Sequence, residues 1–397
     1  MYNLDPNAEK IPTRKAFGEA LLKMGKKYKN VVVLDADLSG SVQTEKFAKE
    51  FPERHFQMGI AEQNMIGAAA GFATRGKIPF VCSFAVFATG RSWEIIRNSV
   101  CYPNLNVKIF GSHAGIGLGE DGASHQALED IAIMRVLPNM KVVCPCDAAE
   151  TLSAMSAVME DYGPTYIRVN RQATSVIYVG TARDESLSGG NGGLSIGKVG
   201  GGVKNEGEES FLNGGLSVRK VGGSVKIDEE AKIGKGGLNE NGHGANKAVL
   251  VNFKFGKSDV LFGKELFDGK KRADVCIFAT GALVSSCLLA AKKLEEGDGK
   301  KVIIVNVSSI KPIDEKTILE CALKSKICVT AEDHSVIGGL GGAVSEVLAE
   351  NGVGKRLFRI GMKDKFGESG SSQDLYKKYG FDEEGVYKQV RDLLKNN

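Results

Sequence analysis

No apolar run in this chain approaches the roughly 20 residues needed to span a membrane, and its start, MYNLDPNAEK, lacks the apolar centre of a signal peptide. A membrane partner is therefore not expected, and the chain is expected to stay in the cytoplasm. Charge of one sign is also scarce. Fifty-two Lys and Arg stand against 48 Asp and Glu, a formal net charge of +4 with no basic arm, which argues against nucleic acid as the partner. None of the eight cysteines forms a C-x-x-C pair, and Cys144 and Cys146 make only C-P-C, so buried free thiols are expected and no metal site. What remains is ordinary for a soluble protein: 397 residues, 42% hydrophobic and 25% charged, enough material for two domains.

The most informative stretch runs from Gln57 to Ala73, QMGIAEQNMIGAAAGFA. Gly59 breaks a strand-like segment, and the helix that follows is almost bare of side-chain bulk at Ile66, Ala68, Ala69, Ala70 and Ala73. Glu62 is the single carboxylate at its mouth. An apolar, close-packed setting disfavours the charged form of a carboxyl and suits it to hold or exchange a proton near neutrality. Taken alone, the position also fits ordinary first-turn helix chemistry, where the macrodipole favours an acid.

From the N-terminus, Thr13 is placed to cap a helix in which Phe17, Leu21, Met24 and Tyr28 recur at helical spacing. A strand from Val31 to Leu34 then enters Asp35-Ala36-Asp37-Leu38-Ser39-Gly40-Ser41, a polar turn of the kind that sets functional groups at a strand's carboxyl end. Its two acids suit a metal or plain capping and turn roles, and nothing nearby completes a coordination shell. Further strands are expected from Ile78 to Cys82, Asn106 to Phe110, Lys141 to Cys144 and Thr165 to Val169. Helices are expected from about Ser92 to Val100, through Ile131 and Ile133, and from Asp147, where Glu150 completes a capping box. The second half repeats the alternation, with strands at Val275 to Ala279, Val302 to Val305, Ile327 to Thr330 and Leu357 to Ile360. Nearly continuous apolar strands alternating with helices predict α/β architecture, two doubly wound parallel-sheet domains.

Two glycine motifs need sorting. GFATRGK at 71–77 has phosphate-loop spacing, but Ile78 stands where a Ser or Thr should reach the metal, and the segment ends a helix instead of opening one. GLGEDG at 117–122 fits GxGxxG, yet it lies inside a longer loop, Gly111 to Gln126, that carries His113, Asp121 and His125 among five glycines. That loop is too long for a tight turn over a pyrophosphate. Two histidines and an acid suit proton transfer or hydrogen bonding to a polyhydroxylated or phosphorylated substrate; metal ligation and an incidental placement stay open.

Read together, Arg14, Asp37-Leu38-Ser39-Gly40-Ser41, Gly59-Ile60-Ala61-Glu62-Gln63-Asn64, Ser83-Phe84-Ala85-Val86-Phe87, the His113 to His125 loop and Arg171-Gln172 resemble, in this order, the pyrimidine-binding domain of transketolases. The later segments FATG, AEDHSVIGGLGGAVSEVL and FGESGSSQDL resemble that family's C-terminal domain, and the whole is similar to the C-terminal subunit of split transketolases. The resemblance implies thiamine diphosphate as coenzyme. It implies Glu62 as the group that hydrogen-bonds the coenzyme's pyrimidine, with Phe84, Phe87 and Asp37 also on the coenzyme side. His113, Asp121 and His125 would meet the sugar's hydroxyls, with His113 and His125 counted beside Glu62 as catalytic, and Arg14, Ser41 and Arg171 would hold its phosphate. Many family members carry a third aromatic shortly after Phe87, where this chain reads Ala88-Thr89-Gly90-Arg91. The Glu332-Asp333-His334 group is expected to be structural or to lie at an interface, because the resemblance places the chemistry in the first domain.

The family's diphosphate and magnesium are held by a GDG motif followed further on by Asn, in a domain that precedes this one. The GDG at 297–299 has no such continuation. The resemblance therefore implies a separate N-terminal subunit that holds Mg2+, in a heterotetramer of two plus two chains. The implied activity is a transferase moving a two-carbon ketol unit between sugar phosphates of the pentose phosphate pathway. Three alternatives stand beside it: a deoxyxylulose phosphate synthase, the beta subunit of a 2-oxoacid dehydrogenase's decarboxylating component, and a non-catalytic regulator of the same fold. Between the domains, NGGLSIGKVGGGVK at 191–204 recurs as NGGLSVRKVGGSVK at 213–226. Abundant glycine makes ordering costly, so a flexible duplicated insertion is expected, with a small β-hairpin as the other reading. The expected division is 1–180, 181–248 and 249–397.

Overall fold

Strand Val31–Asp35 shows how the larger sheet is built. Val31 and Val33 pack with Phe17, Leu21 and Met24 on one face, while Val32 and Leu34 pack with Ile66 and Ile109 on the other. Alternate side chains of one strand thus enter two different cores, the mark of a sheet covered on both faces. The same division holds in the second sheet, where Val275 and Ile277 belong to one core and Cys276 and Phe278 to another. The computed structural model describes residues 2–5, 7–178 and 251–396; the expected duplicated insertion at 181–248 lies outside them.

The larger sheet has seven strands, in the order Ser309–Lys311, Lys141–Val143, Thr165–Arg168, Lys108–Ser112, Ile78–Phe84, Val31–Asp35 and His55–Gln57. All neighbours are parallel except the first pair. The second sheet runs Leu357–Met362, Ser325–Ser335, Ala273–Ala279, Val302–Asn306 and Asp259–Phe262, again parallel except for its last strand. Both sheets are therefore doubly wound, each with one antiparallel edge. The eight cysteines are free and buried, as expected. Among the described residues no helix is long and apolar enough to cross a membrane.

Strand Ser309–Lys311 comes from the second half of the chain but pairs with Lys141–Val143 of the first sheet, and the Lys311 ammonium donates to the carbonyls of Arg135 and Leu137 at 2.9 and 2.6 Å. The described residues consequently fall in one compact unit. A second tie is polar. Arg168, 1% exposed, donates from Nε to Asp130 Oδ2 at 2.7 Å and from Nη2 to the Asp333 carbonyl at 2.7 Å, so one buried guanidinium joins the two sheets. Glu332, Asp333 and His334 are all buried at this junction.

Two local expectations change. Helix Thr13–Lys27 begins at Thr13 with no side-chain cap; the Thr13 hydroxyl accepts the Asn170 N–H at 3.0 Å instead. The helix expected from Ser92 is a short α segment, Trp93–Ile95, between π-helical turns Val86–Arg91 and Ile96–Cys101. The Asp147 cap is present, with its side chain accepting the Glu150 N–H at 2.7 Å.

Glu150 also crosses the junction, accepting Asn306 Nδ2 at 2.9 Å and the Cys146 N–H at 2.8 Å. Burial pushes its carboxyl from 4.5 up to about 7, against those hydrogen bonds. A carboxyl raised in the folded state contributes stability that is complete below its unfolded value and is lost as pH rises through the folded value. The difference in stability between the wild type and Glu150→Gln should therefore move in the variant's favour by on the order of 2 kcal/mol between pH 4.5 and 8. Urea unfolding of both proteins across that range reads it out; a difference independent of pH would refute the assignment.

Candidate active site

Parallel neighbours end on the same side, and four strands of the larger sheet bring their last residues together there: Asp35, Phe84, Ser112 followed by His113, and Arg168 followed by Asn170 and Arg171. Glu62 opens helix Glu62–Thr74 and is 2% exposed, with Met65, Ile66, Ala69 and Ala70 buried behind it. Its surroundings are not the wholly apolar ones that the small-residue helix suggests. Arg91 Nη1 donates to Glu62 Oε2 at 2.8 Å, and the same guanidinium lies 5.0 Å from the centre of the Phe87 ring. The π-helical turn Val86–Arg91 carries both Phe87 and Arg91, in a form of helix often found at functional sites.

From Phe87 the aromatic contacts are continuous. Phe84 and Phe87 lie 6.2 Å apart at 13°, and His125 stands edge-on to Phe87 at 5.1 Å and to Phe84 at 6.2 Å. On its other side Phe84 stacks with His113 at 4.0 Å. Glu62, Arg91, Phe87, Phe84, His125 and His113 thus form one connected surface, although they come from four separate segments of the chain. His113 sits at φ +58, a left-handed conformation held by the loop around it. Burial first, then the charges of Arg14 and Arg171, push its imidazole down to about 3. His113 is therefore a neutral hydrogen-bonding group at physiological pH, with Nδ1 engaged by the Ser112 hydroxyl at 2.8 Å. His125 Nδ1 is met in the same way by Ser124 at 2.9 Å.

Arg14 is half-buried with no acidic partner among the described residues. Nη1 donates to the Ser41 carbonyl at 2.8 Å, and Nε is buried without a hydrogen bond among the described residues. Burial and the nearby charge of Arg171 both disfavour its charged form. Arg171 is fastened to the glycine loop by the Leu118 carbonyl and Glu120, each at 2.7 Å. A half-buried guanidinium with no acidic partner among the described residues, with Arg171 and a neutral histidine nearby, makes a place for an anion.

Two expected residues stay apart from this surface. Asp121 is exposed in the outer part of its loop with no hydrogen-bond or ion-pair partner among the described residues, and the Asp37 side chain is likewise exposed. Asp35 is the buried member of that pair. Its carboxylate accepts Ser39 Oγ, Thr44 Oγ1, His55 Nε2 and Gln57 Nε2 at 2.6 to 2.8 Å. Burial opposes its ionisation, but the bonds from His55, Ser39 and Thr44 outweigh that and hold it at about 2. Asp35 thus fixes the turn that presents Asp37 and Ser41. His55 and Gln57, two apart on one strand, had the alternation that could have placed them on a common side with Asp35. Arg91 carries no such signal, because its approach to Glu62 spans 29 residues and depends on the π-helical turn that carries it.

The aromatic faces with a carboxyl at their edge fit a flat heteroaromatic ring such as the pyrimidine of thiamine diphosphate. Among the described residues, no three His, Cys, Asp or Glu side chains gather as a metal ion would require.

Comparison with known proteins identifies the family. The family described as Transketolase, pyrimidine binding domain, matches residues 9–176, and Transketolase, C-terminal domain, matches residues 264–386. The chain is 46% identical over 383 residues to a Methanocaldococcus jannaschii protein that carries the name transketolase C-terminal section, covering 96% of each chain. It is 33% identical to a 6-deoxy-6-sulfo-D-fructose transketolase subunit of Clostridium sp., covering 96% of this chain and 94% of that one. Among solved structures it is similar to a split gene transketolase, described as an inactive beta4 tetramer, with a TM-score of 0.69, 40% identity and coverage of 97% and 99%. These matches span both sheets and include every residue of the connected surface, so the chain belongs to the transketolase family as its pyrimidine-binding and C-terminal domains.

Proposed function

We propose that this chain is the C-terminal subunit of a thiamine diphosphate-dependent transketolase, moving a two-carbon ketol unit between sugar phosphates, and that a separate N-terminal subunit supplies the magnesium and diphosphate site. The reading rests above all on the connected surface from the Glu62 carboxyl through Phe87, Phe84 and His125 to His113, whose imidazole feels the charge of Arg14, a guanidinium with no acidic partner among the described residues. One end suits a heteroaromatic ring, the other an anion, and the neutral His113 lies between them.

When bound, the coenzyme supplies a nucleophilic carbon that takes up and releases the ketol unit. Glu62 is the group placed to hydrogen-bond the pyrimidine and to share a proton with it. Phe84 and Phe87 hold the ring between apolar faces and exclude water. His113 and His125 hydrogen-bond the sugar's hydroxyls and carbonyl, and Asp121 reaches substrate from the outer part of the loop. Arg14 and Arg171, with the Ser41 turn, bind the phosphate. Asp37 borders the coenzyme side through the turn fixed by Asp35. The split gene transketolase noted above is described as inactive when assembled as a beta4 tetramer. Dependence on a partner is proposed here for this chain, with two copies of each chain around a two-fold axis.

A product assay on the complex separates the readings. Xylulose 5-phosphate with ribose 5-phosphate should give ketol transfer, while pyruvate with glyceraldehyde 3-phosphate should give no product. The reverse result would make the enzyme a deoxyxylulose phosphate synthase. A sulfonated sugar belongs in the same assay, because a guanidinium pair recognises either anion.

Arg14→Ala tests the anion end. Losing a charge-assisted contact of about 1.5 to 3 kcal/mol should raise KM for a phosphorylated donor by about 10- to 100-fold. KM for an unphosphorylated donor such as hydroxypyruvate should stay within about threefold. Equal losses for both donors would place the phosphate elsewhere.

A further inference from the structure

The loop that carries His113, Asp121 and His125 is long and glycine-rich, yet most of it from Gly111 to Gly119 is buried. Its neck is closed by the Gly115 N–H donating to the Ala127 carbonyl at 3.0 Å. Beyond the neck, part of its support comes from the other sheet and the segment that follows it. The Ile116 N–H donates to Asp333 Oδ1 at 2.8 Å, and Gly115, at φ +78, lies so close to the same carboxylate that any Cβ there would overlap it. Tyr376 OH donates to Asp333 Oδ2 at 2.8 Å, and Arg168 holds the Asp333 carbonyl. Ser372 Oγ donates to the Gly117 carbonyl at 2.7 Å, and Gln126 Nε2 donates to the Glu368 carbonyl at 3.0 Å. The Ser335 N–H donates to the Leu128 carbonyl at 2.8 Å, just past the loop's end.

A loop with five glycines has a large conformational entropy to lose, so its fixed shape needs external partners. The C-terminal domain provides several of them, beside Arg171 and Gln126 of the first domain, which hold the Leu118 and Ile116 carbonyls, and it meets the loop's backbone at Ile116 and Gly117. We propose that Asp333 and Ser372 are positioning residues for the sugar-binding loop: through Ile116 and Gly117 they set where His113 and His125 stand, and the C-terminal domain thereby determines how tightly the donor sugar is held. The substrate part of this inference rests on the function proposed above. The mechanical part concerns this chain alone.

Hydrogen exchange on the isolated full chain tests the mechanical part. In Asp333→Ala and Ser372→Ala the amides of residues 114–126 should exchange about tenfold faster or more, while helix Glu62–Thr74 keeps its protection. Asp333→Asn, whose remaining oxygen still accepts the Ile116 N–H, should restore most of it. In the two-chain complex, Ser372→Ala and Asp333→Ala should raise donor KM by about tenfold with kcat within about threefold, and Asp333→Asn should lie close to wild type. Ser372 is partly exposed, so its variant keeps the test open if Asp333→Ala does not fold. Unchanged exchange in the loop would overturn the proposal, as would faster exchange spread evenly over the chain, or loss of kcat with KM unmoved. A wild-type complex inactive with every sugar donor would instead refute the transketolase reading, and the exchange result would still decide whether the C-terminal domain holds the loop.

Discussion

Glu62→Ala is expected to reduce turnover of the assembled two-chain enzyme by about 100-fold or more while the chain keeps its fold, since proton-transfer groups contribute on that scale. Two observations make the loss specific to chemistry. Alanine is the better helix former, so helix Glu62–Thr74 gains in propensity. The partner left behind, Arg91, has a side chain 47% exposed and can be solvated, so no buried charge is stranded. Turnover should be measured beside a thermal melt and a gel-filtration profile of the complex. Retention of more than about a tenth of the wild-type rate would remove Glu62 from the proton transfer. A collapsed melt would make its role structural.

An equally large effect is expected from leaving out the partner. The isolated chain should bind thiamine diphosphate weakly or not at all, and show no ketol transfer, until a chain bearing the diphosphate and magnesium site is added. On the proposed reading the pyrimidine end of the coenzyme would meet an aromatic wall and a carboxyl here, but the diphosphate is its most highly charged part, and its strongest electrostatic anchor is a metal ion. Surface around Glu62 is also exposed: Ile60 is 76% exposed, and Gly67 and Gly71, about one turn apart on helix Glu62–Thr74, have open space above them. Calorimetric titration of the isolated chain with coenzyme and magnesium, repeated after adding the N-terminal subunit, measures both halves of the expectation. Micromolar binding with ketol transfer by this chain alone would refute the split-subunit reading.

The strands of both sheets were legible because a parallel strand buried on both faces must be apolar at nearly every position, and such runs need no knowledge of their neighbours. Strands Ser309–Lys311 and Asp259–Phe262 were not legible for the complementary reason. They have 3 and 4 residues, and each exists only because an edge was available to pair with. Thr13 shows the same limit in a single side chain. Its place before a helical pattern suggested a cap, but its hydroxyl is used by Asn170, 157 residues away.

The identity of the candidate groups was in the sequence. Glu62, Phe84, Phe87, His113 and His125 each have a local context, an acid before a bare helix, aromatics around a strand end, histidines in a glycine loop, whereas Arg14 and Arg171 were singled out by the resemblance alone. What surrounds them was decided only by tertiary structure. Arg91 reaches Glu62 across 29 residues, Arg14 and Arg171 come together from opposite ends of the first domain, and Asp333 holds a loop 217 residues earlier. The physical reason is that residue type and periodicity are local properties, whereas ion pairing, desolvation and the burial of a carboxyl depend on which strands become neighbours. In this chain the neighbours are set by the order of a parallel sheet, and that order is not written in any one segment.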